Sequence, residues 1–211
     1  MNKILWFDTE TTGLDPVKND IIQIAGMIEI DNKVVEHFNF KCAPFNPDNI
    51  EEQALKVTGL KKEDVLNYDS PKDVYDKLTT IFSRHIDKYD KTDKFIPAGH
   101  NVGFDVDMLK QFFIKNDDVY FGSYVSYHKL DTLSLAIALN YWGFLPTKPE
   151  NFKLKILCDI FGIKIEAHEA GSDINATREL FAAFTAIVIM PKKQFSKDKT
   201  PEYICFSLSY T

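Results

Sequence analysis

"WFDTETTG" (residues 6–13) ends an apolar run, Ile4-Leu5-Trp6-Phe7, with two acids one residue apart, Asp8 and Glu10. The run has the bulky apolar and aromatic side chains of a buried strand. Side chains alternate faces along a strand, so Asp8 and Glu10 leave the same face, with Trp6 one step behind them. Two carboxylates side by side repel and lose hydration on burial unless a positive charge stands between them. Thr11, Thr12 and Gly13 are good loop formers, so a turn flanked by acids explains the stretch. A site for a divalent cation explains it too, and the choice depends on the rest of the chain.

The remainder reads as one domain. The chain has 211 residues, 45% hydrophobic and 13% aromatic, enough to bury a sizeable core. It has no repeat, no low-complexity block and no Gly/Pro/Ser-rich linker. A formal charge of −6 argues against holding nucleic acid by a broad basic surface, while leaving a local grip on a strand end open. Cys42, Cys158 and Cys205 are widely spaced and lack a Cys-x-x-Cys pair, as ordinary reduced thiols of a cytoplasmic protein would be. Only four apolar residues separate Lys3 from Asp8, and the apolar stretch Leu180 to Met190 is too short to span a bilayer, so no membrane segment is expected.

Beyond the first strand, residues 20–30 and 33–41 are strand-like, and Asp31-Asn32 between them suits a tight hairpin. Short helices are expected over 49–58 and 61–66, broken at Gly59. Ser70-Pro71 opens a longer helix with a cap and a first-turn proline. The run 87–94 alternates in sign and reads as a solvated helix end and loop. A short strand is expected at 95–100, a helix from about Phe104 to Lys115, and a strand at 124–130. Asp131 suits the cap of the next helix, and helices near 152–161 and 172–190 follow. A three-strand meander followed by strand–helix alternation is a mixed α/β pattern.

Two further aspartates lie on apolar stripes. Asp105 shares a helix face with Met108, Leu109, Phe112 and Phe113. Asp173 lies one turn before Thr177, Leu180, Phe181 and Phe184. A first-turn aspartate often answers only the helix dipole. Four carboxylates converging at the edge of a core need cations, and hard oxygen ligands select Mg²⁺ or Mn²⁺ over zinc. His168 lies five residues before Asp173, and a histidine held near such a cluster, titrating near neutrality, would be a natural base for activating a water.

"DTETTG" (8–13), "GHNVGFDVDML" (99–109) and "HEAGSDINATREL" (168–180) resemble, in order and spacing, the three motifs of the DnaQ-like 3′-to-5′ exonucleases. The resemblance is to the branch with four acids and a histidine (DEDDh), and in motif style to the proofreading exonucleases of the DNA polymerase III epsilon type. It extends to "LKVTGL" (55–60), "KLDTL" (129–133) and "LKILCDIFGI" (154–163). It implies a ribonuclease H-like fold, a mixed five-stranded sheet flanked by helices, over residues 1–190, with 191–211 as a tail. It implies that Asp8, Glu10, Asp105 and Asp173 bind two divalent ions and that His168 is the general base. The terminal nucleotide would be held by Thr9, Thr11 and Gly13, with Leu14 as an apolar wedge and His100, Asn101 and Phe104 as the opposite wall. The "EAGSD" between His168 and Asp173 departs from the "ALxD" of many relatives, and Gly171 there would loosen the histidine loop. The implied reaction releases 5′ mononucleotides from single-stranded or frayed 3′ ends, DNA ahead of RNA, in the cytoplasm. The resemblance leaves room for a DNA polymerase partner and for homo-oligomers. Two other readings stay open: an RNA 3′ exonuclease with the same chemistry, and a non-catalytic nucleic-acid-binding or scaffold protein retaining the fold.

Overall fold

The computed structural model describes residues 2–165 and 170–189. Three strands come first: β1 (Lys3–Thr11), β2 (Ile21–Ile30) and β3 (Lys33–Lys41). Asp31 and Asn32 both take positive φ, 48° and 66°, as a two-residue turn matched to strand twist demands. Helices α1 (Glu52–Thr58), α2 (Lys62–Val65) and α3 (Pro71–His85) follow. Ser70 caps α3 by accepting from the Asp73 N–H, with Pro71 in its first turn. Then come β4 (Ile96–Gly99), α4 (Val102–Lys115), β5 (Leu130–Asp131), α5 (Thr132–Tyr141), α6 (Leu154–Phe161) and α7 (Ala170–Ile189).

The strands form one five-stranded sheet in the order β3-β2-β1-β4-β5. The central β1 is antiparallel to β2 and parallel to β4, and β4 is parallel to β5. The carboxyl ends of β1, β4 and β5 therefore share one edge, where an open α/β sheet characteristically binds its ligand. Alternation along β1 assigns its two faces. Leu5 and Phe7 join Leu78 and Phe82 of α3 and Leu109 and Phe113 of α4 in one core. Trp6 faces the other way and packs with Met27, Ala98 and Ile174 of α7. Asp8 and Glu10, in step with Trp6, are directed to the α7 side.

One expected strand is much shorter than the sequence predicted. Of residues 124–130, Val125 makes a single parallel bridge to Phe95 and Leu130 begins β5; Ser126–Lys129 leave the sheet. Residues 121–123 form a 3₁₀ turn. Alternating residues at a sheet border do not make a strand unless their register fits the neighbour, and here it slips. The helix expected from 104 starts at Val102, with Asn101 in the left-handed region at φ 63°. Cys42 and Cys158 are buried free thiols, and burial pushes the Cys42 thiol up to about 12, which keeps it inert. Cys205 and the tail lie outside the described residues. No helix among the described residues is long and apolar enough to cross a membrane.

Candidate active site

The acids predicted from sequence meet at the carboxyl end of β1. Asp8 is held well above the usual carboxylate range, first by burial and then by the negative charges of Asp105, Glu10 and Asp173. Those three come from α4, from β1 itself and from α7, so the sheet and the helices on its two faces each bring an acid within electrostatic reach of Asp8. A cleft of about 190 Å³ opens there, lined by Asp8, Gly99, His100, Asp173 and Thr177 among others.

Asp105 is 4% exposed and its carboxyl is also pushed up by burial, against the pull of its own backbone N–H and, more strongly, of two hydrogen bonds from elsewhere. Both come from Thr9: its N–H at 3.0 Å and its hydroxyl at 2.7 Å donate to the same oxygen, Oδ1. The resemblance gave Thr9 to the terminal nucleotide. Its place on β1 turns its hydroxyl toward α4, away from the face of Asp8, where it orients Asp105.

Thr11 and Gly13 also act within the protein. Thr11 is 8% exposed and its hydroxyl donates to the Gly13 carbonyl at 2.7 Å. A Cβ on Gly13 would stand 2.5 Å from the side chain of Asn19, so this position has no space for one. Asn19 is fully buried; its Oδ1 accepts from the Asp15 N–H at 2.9 Å and its Nδ2 donates to the Asn49 carbonyl at 2.9 Å. Asp20 accepts from Lys115 Nζ at 2.7 Å and from the Asn46 N–H at 3.0 Å. The loop between β1 and β2 is thus strapped from several directions, and Leu14 stands 81% exposed on it, as a wedge residue would.

On the opposite wall, His100 is fixed at both ring nitrogens. Its Nε2–H donates to the Phe152 carbonyl at 2.8 Å, and Nδ1 stands 2.9 Å from the Thr132 hydroxyl oxygen. Burial holds its pKa below the usual value. Asn101 is exposed and anchored through its N–H to Asp131 at 2.8 Å, so Asp131 fastens the start of α4 as well as capping α5. Phe104 is half-buried and packs on the α3–α4 core. His168 lies outside the described residues.

The donor set suits hard dications, being all carboxylate oxygen. Among the described residues no three acid, histidine or cysteine side chains stand together as a ready-made metal cluster. Mutual repulsion of like charges opposes such closure. What fits a cation is the field at Asp8, where, among the described residues, the charged neighbours that raise its carboxyl are acids.

Residues 5–181 match the RNase T exonuclease family. The chain belongs to that family. Its sheet and motifs make it a DnaQ-like 3′-to-5′ exonuclease with the ribonuclease H-like fold. Exonucleases of the family depend on divalent metal. The chain is 30% identical to PolC-type DNA polymerase III of Mycoplasmopsis pulmonis over 64% of its length, which is 8% of that protein. It is 31% identical to the PolC-type enzyme of Caldanaerobacter subterraneus over 83% of its length, 11% of that protein. The exonuclease thus spans about a tenth of the length of these relatives. Among solved structures, it superposes on the zinc-bound complex of E. coli exonuclease I with single-stranded DNA, with a TM-score of 0.72 and 22% identity over 91% of this chain and 42% of that one. A second exonuclease I complex, with a dT13 oligonucleotide, gives a TM-score of 0.71 and 20% identity over 88% and 41%. At these identities the superpositions establish the fold.

Sequence reasoning missed Asn19, Asp20 and Lys115 as the straps of the wedge loop. A buried Asn or Asp in a loop has no periodic pattern to stand out from; only the Gly13 beside it hinted at a close approach.

Proposed function

We propose that this exonuclease is dependent on Mg²⁺ or Mn²⁺, releases 5′ mononucleotides from single-stranded or frayed 3′ ends, and prefers DNA to RNA. The observation that carries this reading is Asp8, a half-buried carboxyl whose field is set by Asp105, Glu10 and Asp173. Those four residues would hold two ions. When bound, such ions supply Lewis-acid stabilisation of phosphodiester oxygens and lower the pKa of water. The chain supplies the rest. Thr9 keeps Asp105 oriented, and Ile174 and Phe181 seat α7 on the sheet so that Asp173 reaches the cleft. An imidazole nitrogen of His168 takes the proton of the attacking water. Leu14 and the wall at His100, Asn101 and Phe104 separate the last nucleotide from its neighbour. The residue range 1–190 is taken as the catalytic domain.

Exonuclease I structures with bound single-stranded DNA support the substrate form. The PolC-type relatives, whose matching segment lies within a much longer polymerase chain, support a polymerase association and a proofreading role. A 5′-labelled single strand tests the reaction, run as matched DNA and RNA with Mg²⁺, Mn²⁺ or EDTA. A ladder of shortening labelled products that disappears in EDTA is expected. Immediate release of the label, or cutting of a circular strand, refutes the exonuclease reading. No cutting with any metal favours the scaffold reading, and faster digestion of RNA overturns the DNA preference.

A further inference from the structure

Between β4 and β5 the chain carries residues that the sheet has no place for. Phe95 pairs with Val125 and Ala98 with Leu130, so three steps along one side are matched by five along the other. The excess leaves as a turn over Ser126–Lys129, closed by the Ser126 hydroxyl accepting from the His128 N–H at 3.1 Å. On this turn the rings of Tyr127 and His128 lie against each other, centroids 3.9 Å apart, with Tyr127 84% exposed. Lys129 reaches back over the first turn of α4: its Nζ is 3.8 Å from where a Cβ would sit on Gly103. Gly103 lies between Asn101 and Phe104, the wall of the proposed nucleotide pocket, and its missing side chain leaves that wall open outward. Among the described residues no ion pair involves Lys129, as holds for other surface lysines, so its charge is open to an anion where it stands beside the wall. A lone exposed cation beside a stacked aromatic pair, next to the pocket of a protein of charge −6, is the combination that tracks a single strand.

We propose that Tyr127, His128 and Lys129 form a second nucleotide-binding step. Lys129 meets a phosphodiester of the strand leaving the Asn101–Phe104 wall, and the Tyr127–His128 pair takes a base. The inference rests on the exonuclease reading and adds where upstream nucleotides bind.

The test compares kcat/KM on a twelve-residue deoxythymidine strand with that on the p-nitrophenyl ester of thymidine 5′-phosphate, which reaches only the terminal site. In Lys129→Glu and Tyr127→Ala the ratio of strand to ester activity should fall about tenfold, the size of one lost stacking or charge contact. In Lys129→Glu the salt slope of strand kcat/KM should also flatten by about 0.7, the value for one phosphate of a single strand. Lys110→Glu, an exposed lysine further along α4, is the control that leaves both unchanged. Anisotropy of a labelled twelve-mer in Ca²⁺ reads the same contact as binding, and Lys129→Glu should weaken it by a similar factor. An unchanged ratio, slope and anisotropy in Lys129→Glu overturns the second step while leaving the exonuclease intact. A wild-type protein that cuts neither substrate overturns the exonuclease reading, and the anisotropy alone then decides whether Lys129 meets a strand.

Discussion

Acids are buried in this molecule in two different ways. Glu29, 5% exposed, accepts from Arg178 Nε at 2.5 Å and from the Trp6 indole at 3.2 Å. Asp20, 2% exposed, has Lys115 at 2.7 Å. In both places a cation arrives with the acid, and the pair joins elements: α7 to β2, and α4 to the wedge loop. At the end of β1, Asp105 is as deeply buried, at 4% exposed, and Asp8 is half-buried, and among the described residues no cation pairs with either. Asp8 has acids around it, and Asp105 has hydrogen bonds from Thr9 and from its own backbone N–H to offset its burial. A buried charge that is matched internally serves the fold, whereas one left among like charges awaits a partner from solution.

The sharpest way to break this contrast is Asp8→Asn. Nucleotide release should disappear, while the metal-free protein becomes more stable because one of the repelling charges is gone. Melting curves in EDTA beside the oligonucleotide assay check both halves. A variant that is active with Mg²⁺, or less stable without it, removes the distinction. His168→Ala comes next: a general base is worth about a hundred- to ten-thousand-fold in rate. The loss should appear in kcat with metal affinity by calorimetry largely kept, and near-normal turnover would assign the base elsewhere. Asp20→Ala tests the matched kind of acid. It strands Lys115 and should cost about 3 kcal/mol in a denaturant titration, the low end for a broken buried pair since Lys115 still touches water. Cleavage per folded molecule should persist with a raised KM, because the wedge loop loosens. Thr9→Val lies between the two classes. The backbone N–H still serves Asp105 but the hydroxyl is lost, so metal affinity should drop by about 10- to 100-fold, as for other groups that orient a ligand. Unaltered affinity with impaired nucleotide binding would return Thr9 to the substrate role that the resemblance gave it.

The difference between the two kinds of acid was partly legible in the sequence. Asp8 and Glu10 stood out because strand alternation puts them in step with Trp6, and Asp105 because it interrupts a stripe of Met108, Leu109, Phe112 and Phe113, all four buried. The Asp31-Asn32 hairpin was legible because its turn chemistry is local. What the sequence could not supply is what lies across from each residue. Thr9 and Asp105 are 96 positions apart, and their bond exists only because α4 packs on the face of β1 opposite to α7. Asp20 and Glu29 read as ordinary polar positions until Lys115 and Arg178 are brought to them. The 124–130 strand failed for a related reason: its composition suits a strand, but register against β4 is a property of two segments together.

The smallest predicted effect concerns pH, and its sign follows from the raised carboxyls at the end of β1. The carboxyls of Asp8 and Asp105 are both raised, first by burial. Well below pH 4 they are protonated in the folded and the unfolded chain, so they contribute nothing to the difference. As pH rises past the free carboxylate range, about 4, the unfolded chain releases these protons while the folded chain retains them. Stability in EDTA must then fall with rising pH, and it levels off only once the folded carboxyls ionise. Each unit of elevation costs about 1.4 kcal/mol. Other groups titrate over the same range, so the quantity to measure is the difference in melting temperature between wild type and Asp8→Asn in EDTA from pH 4 to 8. The variant's advantage should be slight at pH 4, grow toward neutrality, and shrink or reverse when Mg²⁺ is added, since the ion then matches the charge that the fold leaves open. An advantage independent of pH would mean that the Asp8 carboxyl titrates alike in the folded and the unfolded chain, and the crowding of acids around it would then not act on it.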